Sequence, residues 1–284
     1  MSEEILAVSD LQIEFHDHQF PETVVYDFDL ELEKGEIVGI VGESGSGKSM
    51  SALAIAGLLP RHNMKKSGKI MYDGQNLLVC DRKILRSYQG NRIAMIFQEP
   101  MTSLNPAKRI GWQVEESLRI HVPEMSKEER RQKAVSMLEA VGLHESAKVY
   151  EMYPHELSGG MRQRVMIAAA MIADPEILIA DEPTTALDVT VQAQIVELLR
   201  KINREKGTSI IFISHDLSLV RQLCREIIVM QDGRIVESGT AEEIFRSPGQ
   251  EYTRKLIAAI PRVDLSVPRC SVQSKGLGRN GRTE

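Results

Sequence analysis

The N-terminal part of the chain alternates between apolar and polar residues before it becomes continuously apolar. Alternation over residues 6–15 predicts a half-buried strand with an irregularity near Asp10, and residues 25–32 predict a second strand. The run Ile37–Val41 is apolar throughout, which is typical of a strand buried on both faces of a parallel sheet. A glycine-rich stretch follows this run, and residues 51–59 then predict a helix.

The rest of the chain mixes helical periodicity with short apolar runs. The further predicted strands are 69–72, 92–97, 177–180, 210–213, 226–230 and 234–237, and the further predicted helices are 160–173, 190–205 and 218–224. Between residues 106 and 153 the pattern is helical, with a capping box from Ser126 to Glu129 and a helix end at Gly142. We therefore predict an α/β fold: a parallel-sheet core, an N-terminal antiparallel β layer and a helical insert over about residues 100–158.

Composition narrows the class of protein. The chain has 284 residues, 42% of them hydrophobic and 26% charged, and a net charge of −5, which is ordinary for a globular protein and argues against nucleic-acid binding. Its three cysteines form no metal-binding or disulfide pattern. The longest apolar run, residues 165–173, is shorter than a membrane span, and residues 1–4 do not resemble a signal peptide. We expect a cytoplasmic protein whose polar end, from Pro261 onward, is poorly ordered.

A phosphate-binding loop is predicted directly after the buried strand. The segment 42–49 fits the pattern G-x-x-x-x-G-K-[ST] and consists of Gly42, Glu43, Ser44, Gly45, Ser46, Gly47, Lys48 and Ser49. Glycines let backbone N–H groups converge on phosphates, Lys48 can reach the β- and γ-phosphates, and the Ser49 hydroxyl can bind Mg²⁺. The alternative is an accidental glycine turn, which the preceding strand and the following helix disfavour.

Polar side chains also end three other apolar strands. Asp181 is suited to hold Mg²⁺ through its water shell, and Glu182 to deprotonate an attacking water. His215 could hydrogen-bond the γ-phosphate, and Gln98 could complete the metal shell. The alternative for Asp181 and Glu182 is a solvated acidic loop, and the alternative for His215 is a structural histidine.

A second anion-binding helix end is predicted inside the helical insert. Ser158 is an apt N-cap, and Gly159 and Gly160 expose backbone N–H groups. A plain capped helix is the commoner explanation of such a segment. Because one nucleotide offers one phosphate chain, a second cradle indicates that this segment serves the nucleotide of a partner subunit.

In sequence order, these segments resemble the motifs of the ATP-binding cassette family. Segment 42–49 resembles its Walker A motif, Gln98 its Q-loop and segment 157–161 its signature motif. Segment 177–182 resembles Walker B, segment 184–188 the D-loop and His215 the switch histidine. The resemblance covers about residues 5–262 and implies an ATPase domain at 1–262 with a P-loop NTPase (RecA-like) core, followed by a polar tail at 263–284.

The resemblance also implies how such a chain works. Two cassettes form a head-to-tail dimer in which each ATP, with Mg²⁺, lies between the Walker A motif of one chain and the signature motif of the other. Glu182 would be the general base and His215 the residue that completes the closed site, with the D-loop contributing Asp188. Adenine would stack on an aromatic residue near the N-terminus, for which Phe15 is the first choice and Tyr26 and Phe20 are the alternatives.

A finer resemblance is to the oligopeptide, dipeptide and nickel importer ATPases. It rests on segments 98–106 and 158–165, where Met161 replaces the glutamine of most cassettes, and on segment 248–261. The group implies a second ATPase, which favours a heterodimer, two membrane permeases and an external substrate-binding protein, so that the chain would lie at the cytoplasmic face of the membrane. Many members continue into a cysteine cluster, of which only Cys270 is present here.

These features favour an ATPase that powers peptide uptake. A nickel or metal-chelator importer is the alternative substrate class. A soluble cassette of DNA maintenance or translation is disfavoured, because the stretch between the two phosphate cradles lacks sustained heptads and the chain carries one cassette. A non-hydrolysing regulator would not need Glu182, and an exporter is disfavoured by the importer-like segments and the missing fused membrane span.

Overall fold

The computed structural model of the protein describes residues 3–16, 21–59, 63–99 and 103–260, and its centre is a six-stranded core sheet. The strands of the core sheet are β3 (Ile37–Val41), β6 (Ile93–Ile96), β7 (Ile177–Asp181), β8 (Ser209–Ile213), β9 (Glu226–Gln231) and β10 (Arg234–Thr240). They lie in the order β10-β9-β3-β8-β7-β6, and every neighbouring pair is parallel except β9 and β10. The predicted parallel core is thus confirmed, and its last two strands form an antiparallel hairpin at the edge of the sheet.

The core strands are apolar throughout because both faces of the sheet are covered. Every residue of β3, β7 and β8 is buried. Leu178 and Phe212 pack into an apolar cluster shared with the helices, whereas Ile179 and Ile211 pack into a second cluster shared with the N-terminal strands. Successive side chains of one strand therefore stabilise two different layers.

A second, N-terminal sheet covers one face of the core sheet. It contains β1 (Glu4–Phe15), β2 (Glu22–Glu33), β4 (Met64–Tyr72) and β5 (Gln75–Asn76), in the antiparallel order β2-β1-β4-β5. The irregularity predicted near Asp10 is present, since this residue has a φ of 51° and the pairing of β1 with β2 shifts between Val8 and Leu11. The Asp10 N–H donates a hydrogen bond to the Asp29 carboxylate at 2.8 Å, which anchors the bulge.

The helices lie on both faces of the core sheet: those of residues 48–55 and 82–88 pack into the cluster shared with the N-terminal strands, and the others cover the opposite face or fill the insert. The helices are α1 (Lys48–Ile55), α2 (Arg82–Tyr88), α3 (Ile110–Val114), α4 (Glu116–His121), α5 (Lys127–Ala140), α6 (Ser146–Glu151), α7 (Gly159–Met171), α8 (Val189–Lys206), α9 (Leu217–Leu223), α10 (Ala241–Arg246) and α11 (Glu251–Ala258). The capping box of Ser126 and Glu129 is present, and Gly142 follows α5 with a φ of 81°. None of the described helices is both long and apolar enough to cross a membrane.

The structure differs from the sequence-based expectation at several short helices. Helix α1 begins at Lys48 rather than at residue 51, and α2, α10 and α11 were not predicted. Two of them carry recognisable N-caps, because Asp81 caps α2 and Thr240 forms a capping box that begins α10. The limits of the ATPase domain and of its helical subdomain stay predictions, and Cys270 and the tail lie outside the described residues.

Candidate functional site

Four parallel strands of the core sheet bring the predicted site residues to one edge. The loop 42–49 follows β3 and Glu182 follows β7, while His215 and Gln98 lie two residues after β8 and β6. Since parallel strands point the same way, these residues meet outside the carboxyl ends of the strands, where open α/β sheets bind ligands.

The loop 42–49 takes a backbone path that glycine makes possible. Gly42 has a φ of 151° and Gly47 one of 97°. A Cβ at Gly42 would lie 2.2 Å from the carbonyl oxygen of Met230, so a side chain there would force the loop away from β9. Residues 43–45 form an exposed tip, which leaves their backbone open to a ligand.

Lys48 points its ammonium group into the loop. Its Nζ donates to the carbonyl oxygens of Gly42 at 2.8 Å and Glu43 at 2.6 Å, and to the Ser46 hydroxyl at 3.2 Å. The residue is 4% exposed, and burial lowers the pKa of Lys48, although the carboxylates of Glu182, Asp181 and Glu43 act in the opposite direction. A buried positive charge is therefore held at the centre of the loop.

Ser49 and Asp181 form a pair of oxygen donors beside the loop. The Ser49 hydroxyl donates to Asp181 Oδ1 at 3.0 Å. Burial raises the pKa of Asp181, the hydroxyl of Ser49 and the charge of Lys48 lower it, and the neighbouring carboxylate of Glu182 raises it further. A buried carboxylate whose ionisation is disfavoured would be stabilised by a cation.

Glu182 is the hub of a polar cluster. Its Oε2 accepts hydrogen bonds from Gln98 Nε2 at 3.1 Å and from the Thr185 hydroxyl at 2.8 Å, and it lies 3.1 Å from His215 Nδ1. The backbone of Glu182 is left-handed, with a φ of 46°, which is a strained conformation for a residue other than glycine. The structure thus brings Gln98, Glu182 and His215 together, and it holds the carboxylate in one orientation.

Two contacts of this site were missed by sequence reasoning. Thr185 lies in the predicted D-loop segment, and its spacing of three residues from Glu182 is a signal for a turn contact. Tyr252 lies 209 residues from Glu43, and its hydroxyl oxygen accepts a hydrogen bond from the Glu43 N–H at 3.1 Å. No sequence pattern indicates that contact.

The segment 158–160 lies elsewhere on the chain. Ser158 caps α7 by accepting a hydrogen bond from the Met161 N–H at 3.3 Å. A Cβ on Gly160 would lie 3.0 Å from a methyl of Val191, so this segment lies against the start of α8. Among the residues that the structure describes, no hydrogen bond joins segment 158–160 to loop 42–49.

Asp188 is placed at the start of the same helix. Its carboxylate caps α8 by accepting from the Val191 N–H at 3.0 Å. Leu187, the residue before Asp188, lies 3.8 Å from the position of a Cβ at Gly159, and in the described part of the chain Asp188 shares no hydrogen bond with Glu182.

The adenine contact predicted for Phe15 stays a prediction. Phe15 is half-buried at the end of β1, opposite Glu22 and Met64. Tyr26 contacts the hairpin of β9 and β10, since its N–H donates to the Gly233 carbonyl at 2.8 Å, and the Gly233 N–H in turn donates to the Ser46 carbonyl of the loop at 3.2 Å. Phe20, the other alternative, lies outside the described residues.

The sequence and the fold both match one family of proteins. The family profile described as ABC transporter matches residues 25–185, which is more than half of the chain. The chain therefore belongs to the ABC transporter family, as its motifs indicated.

Among its relatives are peptide-transport proteins. The dipeptide transport ATP-binding protein DppD of Escherichia coli is 46% identical, over 90% of this chain and 78% of its own length. The oligopeptide transport ATP-binding protein OppD of Salmonella typhimurium is 48% identical, over 92% and 77%. The peptidoglycan transport ATP-binding protein YejF of Agrobacterium fabrum is 49% identical over 91% of this chain. The alignment spans only 47% of that protein, about half of its length.

A solved cassette confirms the predicted fold. The dimeric structure of the ATP-binding cassette MJ0796, in a post-hydrolysis state bound to ADP and phosphate, superposes with a TM-score of 0.75 at 30% identity. The match covers 84% of this chain and 99% of that one. The P-loop core, the N-terminal β layer and the helical insert are thus those of a nucleotide-binding cassette.

Proposed function

We propose that this chain is the ATP-binding and ATP-hydrolysing subunit of an importer that takes up dipeptides or oligopeptides. The observation that carries the proposal is the oriented carboxylate of Glu182, which contacts Gln98, Thr185 and His215 at the edge that also bears the phosphate-binding loop. A carboxylate fixed beside a phosphate site is suited to act as a general base. The names of the relatives support peptides as the substrate class.

The loop 42–49 would bind the phosphates of ATP. Its backbone N–H groups and the first turn of α1 attract anions, and Lys48 adds a positive charge already directed into the loop. Ser49 and Asp181 would hold Mg²⁺, which neutralises charge on phosphate oxygens when bound.

This donor set fits Mg²⁺. In the described residues no group of three or more histidine, cysteine, aspartate or glutamate side chains could enclose a metal ion. Mg²⁺ is usually held by one or two protein oxygens together with water and phosphate oxygens, so a pair of donors beside a phosphate loop is sufficient. Gln98 could complete this shell.

Glu182 would take a proton from the water that attacks the γ-phosphate. His215 would orient that water and contact the γ-phosphate, and Gln98 would report whether the phosphate is present. Phe15 would stack on adenine, with Tyr26 as the alternative.

The complete site would include a second cassette in a head-to-tail dimer. Ser158, Gly159 and Gly160 would contact the nucleotide of the partner, and Asp188 would lie beside it. The separation of this segment from the loop of its own chain supports the proposal, and so does the dimeric state of MJ0796. The importer subgroup favours a heterodimer of similar chains.

The remaining partners would be membrane proteins. Two permease subunits would bind the chain at the cytoplasmic face of the membrane, near segment 99–105, and an external binding protein would deliver the substrate. The net charge of −5 supports a partner other than nucleic acid.

An importer of nickel or of a metal chelate is the second candidate, because the same subgroup contains such ATPases. A cassette of DNA maintenance or translation has no observation in its favour.

Uptake by cells separates these candidates. Cells that lack this chain receive the wild type, Lys48→Ala or the control Lys34→Ala, which removes an exposed lysine at the far end of β3. We expect the wild type and Lys34→Ala to restore uptake of a labelled dipeptide or tripeptide and Lys48→Ala to fail, because it removes the charge in the loop. Restored uptake of labelled nickel without peptide uptake would establish the second candidate, and full uptake with Lys48→Ala would contradict the ATPase role.

A further inference from the structure

Helix α11 contacts the phosphate-binding loop from outside the core sheet. The hydroxyl oxygen of Tyr252 accepts a hydrogen bond from the N–H of Glu43 at 3.1 Å. Tyr252 is half-buried, and its ring packs against the apolar cluster that the core sheet shares with the helices. The hydroxyl is thus held at a defined place beside the loop.

The contact falls on the peptide group that also binds Lys48. The Glu43 N–H and the Gly42 carbonyl belong to the same peptide unit, which is planar. Its oxygen accepts from Lys48 Nζ at 2.8 Å while its N–H donates to Tyr252. Because both its N–H and its carbonyl oxygen are hydrogen-bonded, this peptide group cannot flip without breaking at least one of the two hydrogen bonds.

Other groups than the hydroxyl of Tyr252 keep α11 in position. The Glu237 carboxylate on β10 accepts hydrogen bonds from the N–H groups of Gly249 at 2.6 Å and Gln250 at 3.2 Å, just before α11 begins. Thr253, which follows Tyr252 on α11, is 1% exposed, so the helix is also held by packing. Loss of the Tyr252 hydroxyl should therefore leave the helix in place and change the loop.

We propose that the hydroxyl of Tyr252 is a positioning group for the phosphate-binding loop: it fixes the Gly42–Glu43 peptide, whose carbonyl orients the ammonium group of Lys48. The inference rests on the proposed nucleotide function of loop 42–49. Through this contact, the segment that carries α11 adjusts the affinity of the loop for phosphates, although it is far from the loop in sequence.

Tyr252→Phe removes the hydroxyl and keeps the ring. The matched control is Tyr72→Phe, which removes a hydroxyl that donates to Glu176 at 3.1 Å at the opposite end of the core sheet. The full chain is titrated with the fluorescent analogue N-methylanthraniloyl-ATP and MgCl₂. We expect Tyr252→Phe to raise the dissociation constant about three- to tenfold, the effect of one hydrogen bond, and Tyr72→Phe to leave it unchanged.

Amide hydrogen exchange tests the contact without nucleotide. The Glu43 amide should exchange faster in Tyr252→Phe than in the wild type, while the amides of β3 keep their protection and the melting temperature falls no more than in Tyr72→Phe. Equal dissociation constants for wild type and Tyr252→Phe, an equal weakening by Tyr72→Phe, or unchanged exchange at Glu43 would overturn the inference. A wild type that does not bind the analogue would instead refute the proposed nucleotide function, and the exchange result would still decide the inference.

Discussion

The phosphate-binding loop and the segment 158–160 are both glycine-rich helix starts, yet their surroundings differ. Polar contacts surround the loop. Lys48 donates to the loop backbone, Ser49 donates to Asp181, and Gln98 and His215 contact Glu182. Around segment 158–160 lie a helix cap and two apolar side chains, Leu187 and Val191.

This difference separates two tasks that look alike in sequence. The proposed base, the proposed metal ligands and a lysine lie around the loop, so the groups that hydrolysis would need are present there. Segment 158–160 offers N–H groups at the start of a helix, which can stabilise an anion but cannot activate water. The contrast supports the proposal that the second segment acts on the nucleotide of another chain.

The largest expected effect is on turnover in Glu182→Gln. The amide keeps the size of the side chain and can still accept hydrogen bonds, but it cannot take a proton, so ATP hydrolysis should fall by about a hundredfold or more. ATP binding should remain within about twofold, because the loop groups proposed to bind the phosphates, including Lys48, are unaltered. Steady-state phosphate release and an ATP titration measure the two quantities.

Glu176→Gln is the matched control, since it makes the same change at the opposite end of β7, where Glu176 pairs with Arg92. It should leave turnover within about twofold. If Glu182→Gln hydrolyses ATP about as fast as the control, Glu182 is not the general base.

The next effect in size is expected from Ser158→Arg, which places a long charged side chain at the segment 158–160. ATP binding by the chain alone should be unchanged, whereas turnover by the assembled dimer should fall by about a hundredfold because the two chains no longer close correctly. Binding is measured on the isolated chain and phosphate release on the dimer.

Ser126→Arg provides the comparison for this variant, because Ser126 also caps a helix of the insert, with Glu129. It should lower stability and leave turnover of the dimer intact. If Ser158→Arg loses binding in the isolated chain, or if its dimer turns over normally, the two regions do not differ in the way described above.

The smallest effect is on stability, in Asp181→Asn. Folding raises the pKa of Asp181, chiefly by burial, so the ionised side chain opposes folding at neutral pH. A group with a raised folded pKa stabilises the protein below its unfolded pKa, and that contribution is lost as the pH rises through the folded value. Asparagine keeps the acceptor for Ser49 and removes the charge.

The nucleotide-free Asp181→Asn variant should therefore melt about 1–4 °C higher than the wild type at pH 7. The difference should shrink as the pH falls, because Asp181 of the wild type becomes protonated. Calorimetry of both proteins over a pH series checks this expectation, and a lower melting temperature for the variant at pH 7 would contradict it.

Most of the fold could be predicted because the pattern of apolar and polar residues in each segment reflects which of its side chains are buried. The continuous apolar runs of β3, β7 and β8 correspond to strands covered on both faces, and the alternation of β1 corresponds to a strand in an outer sheet. The strand ends also predicted where Gln98, Glu182 and His215 would meet, since parallel strands place their ends at one edge.

Contacts between distant segments could not be predicted in the same way. The bond between Tyr252 and Glu43 depends on how α11 packs, and α11 has too few turns and no side-chain cap to mark it in the sequence. The strained backbone of Glu182 is likewise invisible, because glutamate has no preference for a positive φ.

Asp181 and Glu182 together mark a place where folding and chemistry favour different residues. One carries a charge that burial opposes, and the other has a backbone conformation that suits glycine better. In a laboratory selection for heat resistance alone, with no demand for activity, these adjacent positions should be among the first to change. We expect both residues to be retained only when the selection also demands growth that depends on transport.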